Sequence, residues 1–257
     1  MGTLTFDGNA YSGAVAFGDV HGASDKLSTV LEMLPANTLK IFVGDLIHKG
    51  QNSKEVVDIV RPLVEAGEAI VVRGNHESMA GKEAWVEQED GLTDEDRAWL
   101  KSRPLFLRVQ DNEGQDHLFL HAGIDQGSCR EQLQSLIDAG HLPETGEWTE
   151  SAVNAAVSTL SKGKQRKLEK VMFIRYLTED GVFIPLGKED EHSIWWGASY
   201  RGEFGHIWYG HQPHAQPRVD MHSVCLDTEA YKEEGTLTAM DVVSGDLYTS
   251  GPIVVGS

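Results

Sequence analysis

The chain is poor in cysteine, in long apolar runs and in positive charge, and each shortage excludes something. Two cysteines stand among 257 residues, Cys129 and Cys225, too far apart for a CxxC pair and too few for a disulfide framework. Two free thiols are expected, buried or partly buried. No apolar run approaches the roughly 18 residues that a membrane helix needs. The stretch MGTLTFDGNAYSG has no basic start and no apolar core, so no secretory signal is read there. Phe6 stands where a myristoylation signal calls for Ser or Thr. A soluble, cytoplasmic protein with no membrane partner is therefore expected. Against 40 acidic residues there are only 22 basic ones, a formal net charge of −18. That sign argues against broad nucleic-acid binding, which needs a positive surface. It leaves open a local cationic site supplied by divalent metal ions.

Internal repeats, low-complexity tracts and long linkers are absent as well. What is present is a recurring unit: a short β-like apolar run that ends in a polar loop containing glycine. Residues 14–17 lead into GDVHG, 40–43 into GDLIHKG, 69–72 into RGNHE, 117–120 into HAG and 207–209 into GHQPH. Helical patterns lie between the early runs. The spacing of Leu27, Val30, Leu31 and Leu34 predicts a helix over 25–34 with Ser24 as its N-cap. Val56, Val57, Val60 and Val64 predict another over 54–66, capped by Asn52 or Ser53. Residues 93–102 read as a short helix capped by Thr93, and 128–139 and 150–173 read as helical too. Alternating strand, loop and helix implies an α/β protein with its working loops at the strand ends. The C-terminal third, with CLDT, GTLTAMDV and GDLYTS, reads as antiparallel strands and hairpins. The basic piece SKGKQRKLEK at 161–170 reads as a solvated helix face or as a contact for a polyphosphate or RNA tail.

In an extended segment residues i and i+2 face the same side, so Asp19 and His21 can point at one object. Asp45, Asn75, His76, His121 and His211 each follow a β-like run of their own. Loops along one sheet edge converge, so these side chains can build one site. Carboxylates, imidazoles and an amide suit borderline divalent metals such as Mn, Fe, Co or Zn, and are too rich in nitrogen for calcium. The set exceeds what one tetrahedral zinc requires. A pair of ions bridged by one aspartate fits the count, an arrangement suited to hydrolysing phosphate esters.

GDVHG, GDLIHKG, RGNHE, HAG and GH, in that order, resemble the calcineurin-like metallophosphoesterases and, within them, the phosphoprotein-phosphatase superfamily. The resemblance implies a four-layer α/β/β/α sandwich of two mixed sheets flanked by helices. It implies a single domain over 1–257 with a helical insertion around 127–175. It further implies that Asp19 and His21 bind a first divalent ion, that Asp45 bridges two, and that Asn75, His121 and His211 bind the second. Mn is the working choice, with Fe, Co, Zn or Ni as alternatives. His76 would be the general acid that protonates the leaving oxygen. A hydroxide held between the metals would attack phosphorus in line, with no phosphoenzyme.

The chain departs from that superfamily in one place. Its protein phosphatases usually read GDxVDRG at the second motif, whereas here His48 replaces the aspartate and Lys49 the arginine. The aspartate normally pairs with the GNHE histidine and raises its pKa. Without it, His76 is expected to be a less firmly held acid, which tilts the reading from phosphoserine toward better leaving groups. Lys49 keeps a positive charge for phosphate but loses the bidentate fork of arginine. Such relaxed motifs resemble the symmetrical diadenosine-tetraphosphatase branch. So do FIRY at 173–176, IPLG, Trp195-Trp196, FGHIWYGHQP, LDT and GTLTAM. Arg175 is the candidate substrate-phosphate arginine, with a structural ion pair as the other reading. His214 reads as an extra ligand or a surface group, Arg73 and Arg201 as structural or surface residues. Trp195 and Trp196 read as core, or one of them as a platform for adenine. The expected function is a dinuclear metal-dependent phosphohydrolase acting on dinucleoside polyphosphates or related nucleotide or RNA-end substrates. The alternative is a protein serine/threonine or dual-specificity phosphatase acting on phosphoproteins.

Overall fold

Strand Gly13–Phe17 is buried on both faces, which explains its unbroken apolar run. Ala14 and Ala16 point toward a second sheet, while Val15 and Phe17 point toward helices. The computed structural model describes residues 4–252. In it Gly13–Phe17 is the central strand of a five-stranded sheet in the order Leu247–Thr249, Thr238–Asp241, Gly13–Phe17, Thr38–Phe42, Ala69–Val71. The last three run parallel, and Thr238–Asp241 joins them antiparallel. The second sheet has the order Arg218–Asp220, Ser223–Cys225, His206–Tyr209, Asp116–Leu120, Phe106–Gln110. Its middle three strands are parallel and its two edges antiparallel.

The layers follow from where apolar side chains go. Leu39, Ile41, Leu107, Phe119, Trp208 and Leu226 fill the space between the sheets. Helices Ser24–Met33, Ser53–Glu65 and Asp94–Ser102 cover the first sheet through Leu27, Val30, Val56, Val57, Val60 and Leu100. Helices Ser128–Asp138, Glu150–Ser158 and Lys162–Leu168 cover the second through Leu133, Leu136, Val153 and Leu168. The result is the α/β/β/α sandwich expected, and segment 127–175 supplies its fourth layer. Each fully buried Leu, Val or Phe contributes about 1.5–3 kcal/mol.

Several local readings need correction. Ser24 is inside its helix; Ala23 is the N-cap and has no polar side chain to cap with, while the Ser24 hydroxyl donates to Glu55. The helix expected over 150–173 breaks after Ser158, where the hydroxyls of Ser158 and Thr159 bond carbonyls three residues back. A new helix starts at Lys162 and ends in a 3-10 turn, Glu169–Met172. Ser223–Cys225 is antiparallel to Arg218–Asp220 but parallel to His206–Tyr209, so the C-terminal third is mixed. Both cysteines are free and buried. No helix among the described residues is long and apolar enough to cross a membrane.

Candidate metal centre

Ligands gather beyond the carboxyl ends of parallel strands in open α/β sheets, and both sheets here point such ends the same way. Asp19 and His21 follow Gly13–Phe17, Asp45 follows Thr38–Phe42, and Asn75 and His76 follow Ala69–Val71. His121 follows Asp116–Leu120 and His211 follows His206–Tyr209. Asp45 is the hub. Its Oδ1 accepts the His76 backbone N–H at 2.9 Å, which leaves Oδ2 to the imidazoles. That oxygen lies 3.2 Å from His121 Nε2, 3.6 Å from His21 Nε2 and 3.9 Å from His76 Nε2. Gly74 makes the approach possible, since a Cβ there would fall 2.2 Å from Asp45 Oδ1. Gly210 does the same for Asp19, whose Oδ1 would lie 1.9 Å from an added Cβ.

The donor chemistry fits divalent cations. His21 Nδ1 is 3.0 Å from the Ile47 carbonyl and His121 Nδ1 is 2.9 Å from that of Val43. A carbonyl only accepts, so each ring carries its proton on Nδ1 and turns an Nε2 lone pair inward. His121 Nε2 then faces Asn75 Oδ1 at 3.0 Å and Asp45 Oδ2, a meeting of acceptors that calls for a shared positive charge. Burial would lower the His121 pKa, but Asp45 outweighs it and pushes the ring up to about 9. Burial drives His21 down to about 3. Asp19 is held well above the carboxylate range by burial and by the neighbouring Asp227. His21, Asp45 and His76 form one group of donors within 4.8 Å of one another, and Asp45, His121 and His211 form a second; they share Asp45. Asp19 borders the first group, its Oδ2 3.6 Å from His21 Nε2, and takes the His211 amide at 3.1 Å on both oxygens.

Two cations sit at opposite ends of the cluster. Lys49 Nζ donates to His21 Nε2 at 2.7 Å and lies 5.0 Å from the Tyr231 ring centre. Arg175 reaches the His211 carbonyl at 3.5 Å, and its Nε, buried, has no partner among the described residues. A cleft of about 500 Å³ opens beside Lys49 and Tyr231, and one of about 430 Å³ beside Arg175 and Gln212.

His76 is not loosely held, contrary to the expectation from the missing aspartate. Its Nδ1 lies 2.9 Å from Nδ1 of His48, whose Nε2 lies 2.9 Å from Glu89 Oε1. Burial drives His76 down to about 4. Several groups here escaped the sequence reading. Glu77, in RGNHE, is fully buried and accepts the backbone N–H of Asp45, Leu46 and Gly74, each at 2.8 Å; burial lifts its carboxyl to about 7. Asp227, in LDT, stands beside Asp19. Lys26 donates to the carbonyls of Ala230, Lys232 and Gly235 and so holds the Tyr231 loop. Glu77 and Asp227 were legible as parts of quoted motifs, RGNHE and LDT; Glu89 and Lys26 carried no local signal.

The remaining candidates lie elsewhere. Trp195 and Trp196 are buried and offer no open face to a base. His214 packs its ring edge-on against Trp195. Arg201 is exposed and donates to Ala198, and Arg73 donates to Lys101.

Known proteins resemble this chain in sequence and in fold. The family model for calcineurin-like phosphoesterases matches residues 14–215. The asymmetrical bis(5'-nucleosyl)-tetraphosphatase PrpE of Halalkalibacterium halodurans is 26% identical over 258 residues, 87% of either chain. The symmetrical bis(5'-nucleosyl)-tetraphosphatase of Ralstonia nicotianae is 34% identical over 121 residues, covering 42% of this chain and 41% of that one. Among solved structures, a candidate diadenosine tetraphosphatase superposes with a TM-score of 0.63 at 19% identity, over 95% of this chain and 96% of that one. A protein serine/threonine phosphatase from Saccharomyces cerevisiae gives 0.56 at 14%, over 90% and 73%. At such identities the structures speak for the fold alone.

Proposed function

Because the chain belongs to the calcineurin-like phosphoesterase family, and is thus a hydrolase of phosphate ester or anhydride bonds, we propose that it works on dinucleoside polyphosphates through two divalent metal ions. The observation that carries this reading is the sharing of Asp45 between two donor groups. In this reading Asp19 and His21 would hold one ion, Asn75, His121 and His211 the other, and Asp45 would serve both. The donor set suits Mn, and Fe, Co, Zn or Ni equally in kind. When bound, such ions lower the pKa of a water and neutralise charge on the phosphoryl oxygens. His76 stands beside Asp45, where its imidazolium form, with a proton on each nitrogen, would protonate the departing oxygen from Nε2. His21 Nε2 has one lone pair, so Lys49, which now takes it, must turn to the substrate phosphates when a metal is held. Arg175 binds phosphate at the other end with its free Nε–H.

The substrate class rests on the two sequence relatives named above, both of them bis(5'-nucleosyl)-tetraphosphatases, and on a cleft at each end of the cluster. A two-ended substrate suits two such clefts. The leaving-group argument drawn from the missing aspartate does not support it, since His48 occupies that place. The protein phosphatase reading has only likeness of fold behind it.

The test is a substrate panel on Mn-loaded protein: diadenosine tetraphosphate, a triphosphorylated RNA end, p-nitrophenyl phosphate and a phosphoserine peptide, with products resolved. The dinucleotide is expected to turn over fastest. Cleavage at its midpoint yields ADP alone, and off-centre cleavage yields ATP and AMP. A dominant rate on the peptide would overturn the reading.

A further inference from the structure

Two side chains from separate segments form a line behind His76. His48 comes from the loop after Thr38–Phe42, and Glu89 from the segment between His76 and helix Asp94–Ser102. His48 and Glu89 have no exposed side-chain surface. Glu89 is itself fixed: Arg97 Nε donates to Oε2 at 2.7 Å and the Gly81 N–H to both oxygens, at 2.7 and 3.0 Å. Trp85, from the same segment, stacks on the His48 ring with centres 5.0 Å apart and planes 18° apart. It meets His76 edge-on at 4.8 Å.

The protons in this line can be placed by elimination. The Glu89 carboxylate only accepts, so His48 Nε2 carries the proton between them. A neutral His48 then has a bare Nδ1, which accepts. The facing nitrogen, His76 Nδ1, must therefore donate. That pins one ring proton to His76 Nδ1 and turns Nε2 toward Asp45, so the ring serves as an acid when Nε2 carries the second proton, with Nδ1–H held by His48. His48 pays for its place with a left-handed backbone, φ 69°.

We propose that Glu89, acting through His48, is a positioning residue for His76, the His48–Glu89 pair setting the tautomer and aim of the ring that serves the leaving group. No proton travels along the line, and His48 stays neutral throughout. The proposal rests on His76 serving as the acid, as argued above, and predicts more than that reading does. In histidine Nδ1 and in aspartate Oδ1 stand three bonds from Cα. An aspartate at 48 would thus accept from His76 Nδ1 directly and make Glu89 dispensable.

The experiment is a mutant cycle on the full-length, Mn-loaded protein with aryl phosphates of graded leaving-group basicity. It uses Glu89→Gln, His76→Asn, His48→Asp and the doubles E89Q/H76N and H48D/E89Q, with metal content and melting temperature recorded for each. Glu89→Gln is expected to lower kcat for the most basic leaving group by about 10–100-fold, the range for partners that orient an active group, with KM, metal content and fold retained. E89Q/H76N should be no slower than His76→Asn alone, because residues acting as a unit are not additive. H48D/E89Q should recover most of the activity that Glu89→Gln loses. Losses that multiply in E89Q/H76N, or a Glu89→Gln cost unchanged in the His48→Asp background, would overturn the proposal. An even loss across all leaving groups in His76→Asn would instead defeat the general-acid reading, and the cycle would still decide whether Glu89 acts through His76.

Discussion

At Asp45 one carboxylate oxygen is taken by the His76 amide and the other faces three imidazoles. Asp45→Asn keeps the shape and removes the charge. It is expected to lower bound metal and to cut kcat/KM by more than the about 10–100-fold typical of outer partners, read by elemental analysis beside kinetics. His206 belongs to the other end of the same strand as His211 and has a different consequence. Burial, helped by His117 and His222, holds it down to about 4, from an ordinary 6.5. As pH falls from about 6.5 to about 4 the unfolded chain takes up a proton that the native ring refuses, so stability is lost across that window. His206→Gln should flatten this part of the profile, by on the order of 1 kcal/mol after solvent screening, as measured by urea midpoints at several pH values. An unchanged slope would place the titration elsewhere.

The loops that carry the site adopt backbone shapes that glycine usually takes. Non-glycine residues with φ between 48° and 70° include His21, Asp45, His48, Lys49 and His211, all at the centre. Motif spacing told which residues converge, because each followed its own strand, and it gave the helices wherever valines and leucines kept a helical period. It did not tell of these strained angles, which leave no mark in the order of residues. Nor did it reach Glu89, whose partner His48 lies 41 residues away in sequence. Ser24 misled because an i,i+3 pattern marks a helix but not which of two neighbours starts it. Thr93 did not mislead. Its hydroxyl accepts the Asp96 N–H, and the Asp96 carboxylate answers to the Thr93 N–H, a full capping box. Thr93→Ala should cost about 1 kcal/mol in chemical denaturation. Arg97, one turn on, holds Glu89, so any kinetic change in Thr93→Ala should follow the pattern of Glu89→Gln rather than that of Asp45→Asn.

For the molecule as a whole, strand-end motifs spoke to its class. The stacking of two sheets face to face did not come from them; it follows from Ala14, Ala16, Ile41, Phe119 and Trp208 having no other place to be buried. The candidate ligands are divided across that stack, Asp19, His21, Asp45 and Asn75 on loops of one sheet and His121 and His211 on loops of the other. Ions at this place would act as rivets through a seam, gripping only when the two halves are in register. Loading should then raise the melting temperature and chelation lower it, and well above saturation each tenfold of free ion adds about 1.4 kcal/mol for each ion held, about 2.8 kcal/mol for a pair. Scanning calorimetry across a manganese titration would read that slope. The rate at which a chelator strips the protein would, on the same logic, be a clock for how often the two sheets part.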